Sequence, residues 1–359
     1  MGFLPKRIHH AACLAFAVLA TLLVLQIFTY HQNATKSDDE NMMKNKPDNA
    51  KLKAKIKPSP TSKAAHIDFM KNQTSVQSKR KVILQETCKR RGLASEKEPP
   101  LYTKTHTLVV DNFKVIYCFV PKVENSNWKR IMMVLNGEKD TVEGLTSEEV
   151  HVKAKTRFLN SYTPEEQQHR LKNYRKFFFV REPLERIMSV YRDQFENTGY
   201  YRVNKPFHVF GKQMVRKFKK KPSAVAIRTG ENATWTEFVD YLTHPLERAE
   251  IENELTSYPC DHWKEMHNIC SPCTVDYDVI GKLETIHDDA KYVLKLIDAP
   301  GKVKYIASSA GTRPTNSSDD GTFQKYLSQL DKKKLTQLWD LYKLDYELFG
   351  YPKPAIIPD

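Results

Sequence analysis

From about residue 82 onward, short runs of large apolar residues alternate with amphipathic stretches of helical length. That alternation predicts an α/β domain in which a mostly parallel sheet is covered by helices. Lys114 to Val120 (KVIYCFV) reads as a buried strand, and after a break at Pro121 the stretch Asn127 to Leu135 (NWKRIMMVL) reads as a helix. Lys176 to Val180 (KFFFV) reads as a second strand, followed by Arg181, Glu182 and Pro183 and then by the helical LERIMSVYRDQFE, with Pro183 suited to a first turn. Farther on, Thr234 and Glu237 have the spacing of a capping box ahead of FVDYL, Tyr277 to Leu283 reads as a strand, and Leu335 to Phe349 as a C-terminal helix.

The first eighty or so residues follow neither period. Ala11 to Tyr30 carries no charge and is long enough to cross a hydrocarbon core of about 30 Å as a helix. The A-x-A at Ala15 to Ala17 lies inside this run rather than after it, which favours a signal anchor over a cleaved signal peptide. Lys6 and Arg7 before the run are balanced by Lys36, Lys44 and Lys46 after it, so basic residues do not orient the span. Sequons at Asn33, Asn72, Asn232 and Asn316 all follow it, as expected if that side is luminal. From His31 to Lys81 there are eleven Lys and one Arg against five acidic residues, with few large apolar ones, which predicts a disordered stem. The expected organisation is a tail (1–10), an anchor (11–30), a stem (31–81) and one domain (82–359).

The formal charge of +14 points to an anionic partner. Nucleic acid fits poorly, because lysine is concentrated in the stem beside a membrane span and sequons. Lys212, Arg216, Lys217, Lys219, Lys220 and Lys221 form a further basic stretch, either a path for a polyanion or a solvated loop. Of six cysteines, Cys88, Cys118, Cys260, Cys270 and Cys273 lie beyond the span, where disulfides persist. Cys260, Cys270 and Cys273 beside His262 and His267 lack the two tight ligand pairs of a structural zinc site, so disulfides are the expectation.

Two strand-loop-helix units carry the candidate chemistry. In the first, Pro121 to Trp128 places backbone N–H groups, hydroxyls and Lys122 at a helix N-terminus, a phosphate-binding arrangement that lacks the glycines of a Walker A loop. In the second, Arg181 ends a strand and Ser189 lies two turns into the helix, a guanidinium and a hydroxyl suited to a second phosphate. Arg181 with Glu182 as a plain ion pair and Ser189 as a packing residue fit the same segment.

Four stretches, YCFVPKVENSNWKRIMMVLNG, KFFFVREPLERIMSVYRDQF, HNICSPCTVDYDVIGKLETI and LWDLYKLDYELFGY, resemble in order and spacing the chondroitin 4-O-sulfotransferase and HNK-1 sulfotransferase family over roughly residues 82 to 352. The resemblance implies a P-loop-like sulfotransferase domain in the Golgi, facing the lumen behind its membrane anchor. The donor would be 3′-phosphoadenosine 5′-phosphosulfate (PAPS) and the acceptor an anionic glycan such as chondroitin, with no metal and no covalent intermediate. On that reading Lys122, Val123, Glu124, Asn125, Ser126, Asn127 and Trp128 hold the phosphosulfate end and Arg181 and Ser189 the 3′-phosphate, with Glu182 and Arg186 also among the cofactor-binding residues. Lys122 would also be catalytic, with His151 or His262 as general base; each histidine fits a structural role equally. Arg313 resembles a Thr-Arg element of the family, and fits a solvated loop as well. This chain departs from the family at Glu124 and Asn125, where a small residue and a cysteine are usual, and at Ser126, where threonine is usual. Glu124 brings a like charge to an anion site, worth roughly 4 kcal/mol of repulsion at about 4 Å near a surface. The acceptor hydroxyl is expected at the 4-position of N-acetylgalactosamine, with terminal glucuronic acid, or a non-catalytic glycan-binding relative disabled by Glu124, as alternatives.

Overall fold

A computed structural model describes residues 60–93, 97–244, 259–306 and 315–358. The apolar run Ala11 to Tyr30, the sequon at Asn33 and Arg313 lie outside the described residues. Among the described residues no helix is long and apolar enough to cross a membrane.

The sheet contains β1 (Thr107–Val110), β2 (Val115–Cys118), β3 (Arg157–Phe158), β4 (Arg175–Val180) and β5 (Val279–Lys282), in the order β3-β1-β2-β4-β5. β2, β4 and β5 are parallel, β1 pairs antiparallel with β2, and β3 antiparallel with β1. The sheet is therefore mixed, a correction to the mostly parallel expectation. Its cause is the short Asp111–Phe113 turn closed by left-handed Lys114 (φ 47°), a connection only antiparallel neighbours can use. Each parallel strand feeds a helix: β2 into α2 (Asn125–Leu135), β4 into α4 (Pro183–Tyr191) and β5 into α5 (Ile286–Leu296). A short α3 (Ser147–His151) lies between the first two units, and α6 (Lys332–Phe349) closes the chain. The capping box at Thr234 and Glu237 starts its helix as the spacing predicts.

One core cluster surrounds the sheet, where the Trp128 ring packs on Tyr117, Phe177 and Phe179. A second fills the helical half around Trp263. Cys88–Cys273 and Cys118–Cys270 are disulfides that close loops of 185 and 152 residues, lengths at which a crosslink stabilises by about 5 kcal/mol on the chain-entropy account. The sulfurs of Cys270 and Cys273 are thus committed to disulfides, and buried Cys260 lies outside both.

The stem expectation needs a second correction, because α1 (Pro60–Arg90) is helical through residues 60–81. Composition misleads here because its inward face is mostly polar. Gln73, Gln77, Leu84, Thr87 and Cys88 are buried at helical spacing. β5 is an edge strand, and Gln77 Oε1 accepts the Ile280 N–H at 2.9 Å while Arg80 Nη1 donates to the Ile280 carbonyl at 2.7 Å. Two side chains of α1 thus take the place of a sixth strand and cover backbone groups that an open edge would expose.

Candidate active site

A cleft of about 970 Å³ opens beyond the carboxyl ends of β2, β4 and β5, where ligands sit in open α/β sheets. Its walls come from both strand-loop-helix units. Lys122, Glu124, Asn125 and Ser126 line one side, Arg181 and Ser189 the other, and Leu283 follows β5.

The first wall is a bent loop. Lys122 (φ 67°) and Glu124 (φ 55°) both adopt left-handed backbone, uncommon for residues with a Cβ and concentrated at functional sites. Glu124 precedes α2 without capping it by its side chain, which leaves the positive end of the helix facing the cleft. Lys122 Nζ pairs with Asp193 Oδ2 at 2.8 Å, and the same oxygen accepts from Gln194 Nε2 at 2.7 Å. Asp193 lies in a π-helical turn, Arg192–Glu196, that continues α4; such turns are frequent at functional sites. Ser126 Oγ is 2.9 Å from His151 Nε2 at the end of α3. The His151 ring keeps an exposed face, yet partial burial and the charges of Lys129 and Arg130 push its pKa down to about 4. The two charges act however much of the ring is covered.

The second wall is packed rather than bent. Arg181 is buried, with Nη2 2.7 Å from both Ser317 Oγ and Ser318 Oγ and Nε 3.5 Å from Glu185 Oε2. Burial lowers the Arg181 pKa, opposed by Glu185 and Glu284. Ser189 Oγ lies 3.0 Å from Thr315 Oγ1.

Residues 105–352 match the model of the sulfotransferase family. The chain is 36% identical over 292 residues to carbohydrate sulfotransferase 11 of Rattus norvegicus, which covers 79% of this chain and 78% of the relative. The chain belongs to the sulfotransferase family. Carbohydrate sulfotransferase 9 of Homo sapiens is 34% identical over 292 residues, covering 80% of this chain and 62% of its own. Carbohydrate sulfotransferase 14 of Homo sapiens is 36% identical over 255 residues, with 70% and 61% covered. No solved structure matches the chain. These similarities make the protein an enzyme that sulfates carbohydrates.

The family implies PAPS as sulfonate donor, and the cleft of this sulfotransferase offers a fitting donor set. Lys122, Arg130 and Arg181 supply cations, and Ser126, Ser147, Ser189, Thr315, Ser317 and Ser318 supply hydroxyls, a combination suited to two separated phosphate groups. Buried Arg181 Nε is met only by the long 3.5 Å contact with Glu185 Oε2, so its hydrogen-bonding capacity is not fully used.

Not every residue expected in the site lines it. Val123 and Trp128 belong to the core, because the loop turns their side chains under the sheet-facing side of α2. Asn127 is buried and braces Glu124 and Arg130. Glu182 caps α4 through the Glu185 N–H and accepts the Tyr346 hydroxyl; burial and the charges of Glu185 and Glu284 push its pKa up to about 7. Arg186 is a correction. It is fully buried and donates to the carbonyls of Pro121, Lys264 and Asp261 at 2.8 to 2.9 Å, so it ties the two loops together from behind the cleft. His262, half-buried, bonds the Pro259 carbonyl through Nδ1 at 3.0 Å; burial and the Lys122 charge lower its pKa to about 4, but it does not line the cleft. Glu124 does line it, with Oε2 held by Asn127 and, at 3.0 Å, by the Tyr305 hydroxyl.

Sequence reasoning missed Asp193, Arg130 and the segment Thr315 to Asp319. The π turn has no sequence signature, and Thr315 to Ser318 meets Arg181 and Ser189 only across more than a hundred residues of chain. Asn316, read above as a sequon, lines the cleft, whereas Asn72 and Asn232 are exposed. In the basic stretch, Lys219 pairs with Glu237, while Arg216, Lys217, Lys220 and Lys221 are exposed.

Proposed function

We propose that this sulfotransferase transfers sulfonate from PAPS to the 4-hydroxyl of N-acetylgalactosamine in chondroitin or dermatan. The observation that carries the reading is that Lys122 and Ser126 on one loop and Arg181 and Ser189 on the other line a single cleft. The acceptor class rests on the resemblance of the four quoted stretches to chondroitin 4-O-sulfotransferases and on the positive charge of the chain. A Golgi location with residues 11–30 as anchor draws support from the uncharged run, from exposed Asn72 and Asn232, and from two disulfides of a kind that persists in the secretory lumen.

PAPS, when bound, supplies an already activated sulfonate, so the protein has to position groups and stabilise charge. Arg181, Ser189 and the Thr315 to Ser318 hydroxyls hold the 3′-phosphate end, and Ser126 with the α2 N-terminus the 5′ end. Lys122 stabilises charge on the leaving oxygen, and Asp193 aims its ammonium group. His151 takes the proton from the acceptor hydroxyl. Its low pKa keeps the ring neutral, and thus able to accept a proton, throughout the range from pH 5 to 8.

The test uses the purified full chain, PAPS carrying labelled sulfonate, and separate chondroitin, dermatan, heparan and terminal-glucuronate acceptors. Transfer to chondroitin or dermatan, reduced at least about a hundredfold by His151→Ala with adenosine 3′,5′-bisphosphate binding retained, is the expected result. Transfer confined to the terminal-glucuronate acceptor would replace the proposed substrate, and unaltered turnover in His151→Ala would remove the base assignment.

A further inference from the structure

A second cleft, about 650 Å³, lies on the other side of Tyr305 from the donor loop. Tyr305 is the shared wall: it lines this cleft, its hydroxyl bonds Glu124 in the first cleft, and its ring sits 6.0 Å from those of Trp128 and His287. The floor is apolar, formed by Leu294, Ala299, Pro300 and Val303, and the rim carries Lys291, Lys295 and Lys304 with His66 and His287. Asp298 is the one carboxylate among the described lining residues.

The three rim lysines outnumber the acidic lining. Lys295 Nζ lies 2.9 Å from His66 Nδ1, a contact that works only with a neutral imidazole accepting. The Lys291 ammonium rests over the Phe69 ring, 4.3 Å from its centroid, and the side chain of Lys304 is exposed. None of these three lysines forms an ion pair among the described residues. Holding three ammonium groups around one concavity with the single lining carboxylate of Asp298 among the described residues costs self-repulsion that an anionic ligand reverses. An apolar floor under a cationic rim suits sugar rings, whose C–H faces pack on aliphatic surface while carboxylate or sulfate groups reach the rim.

We propose that this cleft is an exosite for an anionic glycan chain, binding sugars of the acceptor that lie beyond the one being sulfated. The proposal rests on the carbohydrate-sulfating reading above and adds a length preference: chains long enough to cross Tyr305 bind both clefts, and short acceptors bind one. Linking two sites on one ligand raises affinity without new contacts in the first.

The test compares the full chain with the variant Lys291→Glu/Lys295→Glu/Lys304→Glu. Kd is measured for fluorescent chondroitin sulfate of about twenty sugars and for adenosine 3′,5′-bisphosphate, and turnover for a chondroitin tetrasaccharide. The long-chain Kd is expected to rise at least about tenfold, with a weaker salt dependence, while bisphosphate affinity and tetrasaccharide turnover hold. The triple Lys→Gln variant, which keeps side-chain length, should show a smaller rise in the same direction. An unchanged long-chain Kd in both variants overturns the exosite, and so does an equal loss of bisphosphate affinity, which would assign the cleft to the nucleotide. Loss of long-chain binding in the variants alongside a wild type that transfers no sulfonate would keep the exosite and overturn the catalytic reading instead.

Discussion

The loop after β2 and the loop after β4 face each other across one cleft, and they are built in opposite ways. The first holds left-handed Lys122 and Glu124, and its polar side chains are tied to other side chains: Lys122 to Asp193, Ser126 to His151, Glu124 to Asn127 and Tyr305. The second keeps regular backbone and buries Arg181, Arg186 and Ser189 in or beside α4. A bent loop whose partners are side chains can exchange them for a ligand at low cost. A packed one has its geometry set by the core and can hold a ligand without rearranging. The division matches the proposed chemistry, in which the first loop meets the reacting end of the donor and the second anchors the end that does not react.

The largest effect that would break this comparison concerns Arg186, in α4, and Arg181, in the loop five residues before it. Arg186→Ala leaves three backbone carbonyls and the nearby Asp345 and Glu265 charges without their guanidinium. The expected loss is roughly 3–5 kcal/mol, or on the order of 10 °C in Tm. Arg181→Ala should instead weaken adenosine 3′,5′-bisphosphate binding about a hundredfold with a much smaller change in Tm. Calorimetry on both variants checks this, and equal Tm losses would erase the distinction between an anchoring and a bracing arginine.

A smaller effect is a pH dependence of stability from Glu182. Its pKa is raised in the folded protein to about 7, against an ordinary carboxylate value near 4.3, so between those values the folded state binds more protons than the unfolded one. The stabilisation is full below about 4.3 and is lost as pH rises through about 7, a change on the order of 3 kcal/mol. Denaturant titrations of Glu182→Gln should show this decline flattened; an unchanged slope would mean that the carboxylate is not the group responsible. The smallest effect is Glu124→Gln, which removes a negative charge from the cleft while keeping an oxygen for Asn127 or Tyr305. Donor affinity should improve by roughly three- to tenfold, read as bisphosphate Kd. A weaker affinity would show that Glu124 serves the loop's shape more than it opposes the ligand.

The two strand-loop-helix units were readable because their signals are local: apolar runs, a proline break, a first-turn proline. The cleft residues Lys122, Ser126, Arg181 and Ser189 follow from those units alone. Direction within a loop is a different matter. A residue string does not say that Val123 and Trp128 turn into the core while Glu124 and Asn125 turn outward, since that depends on two left-handed residues in a segment without glycine. Nor does it show that Arg186 faces the back of the Pro121 turn. Asp193 and the Thr315 to Ser318 hydroxyls were hidden for the same reason as the polar face of α1: their partners are distant in sequence, and Gln77 and Arg80 bury against a strand edge without any apolar signature.

Lys122 carries the central claim, that the strained loop stabilises the leaving group while the packed loop holds the nucleotide. Single-turnover transfer of labelled sulfonate from PAPS to chondroitin, measured for wild type and Lys122→Ala with bisphosphate Kd determined in parallel, tests it most directly. The account predicts a rate lower by at least about a hundredfold with bisphosphate affinity within about threefold of wild type. A wild-type rate in Lys122→Ala, or a loss explained wholly by weaker bisphosphate binding, would contradict it.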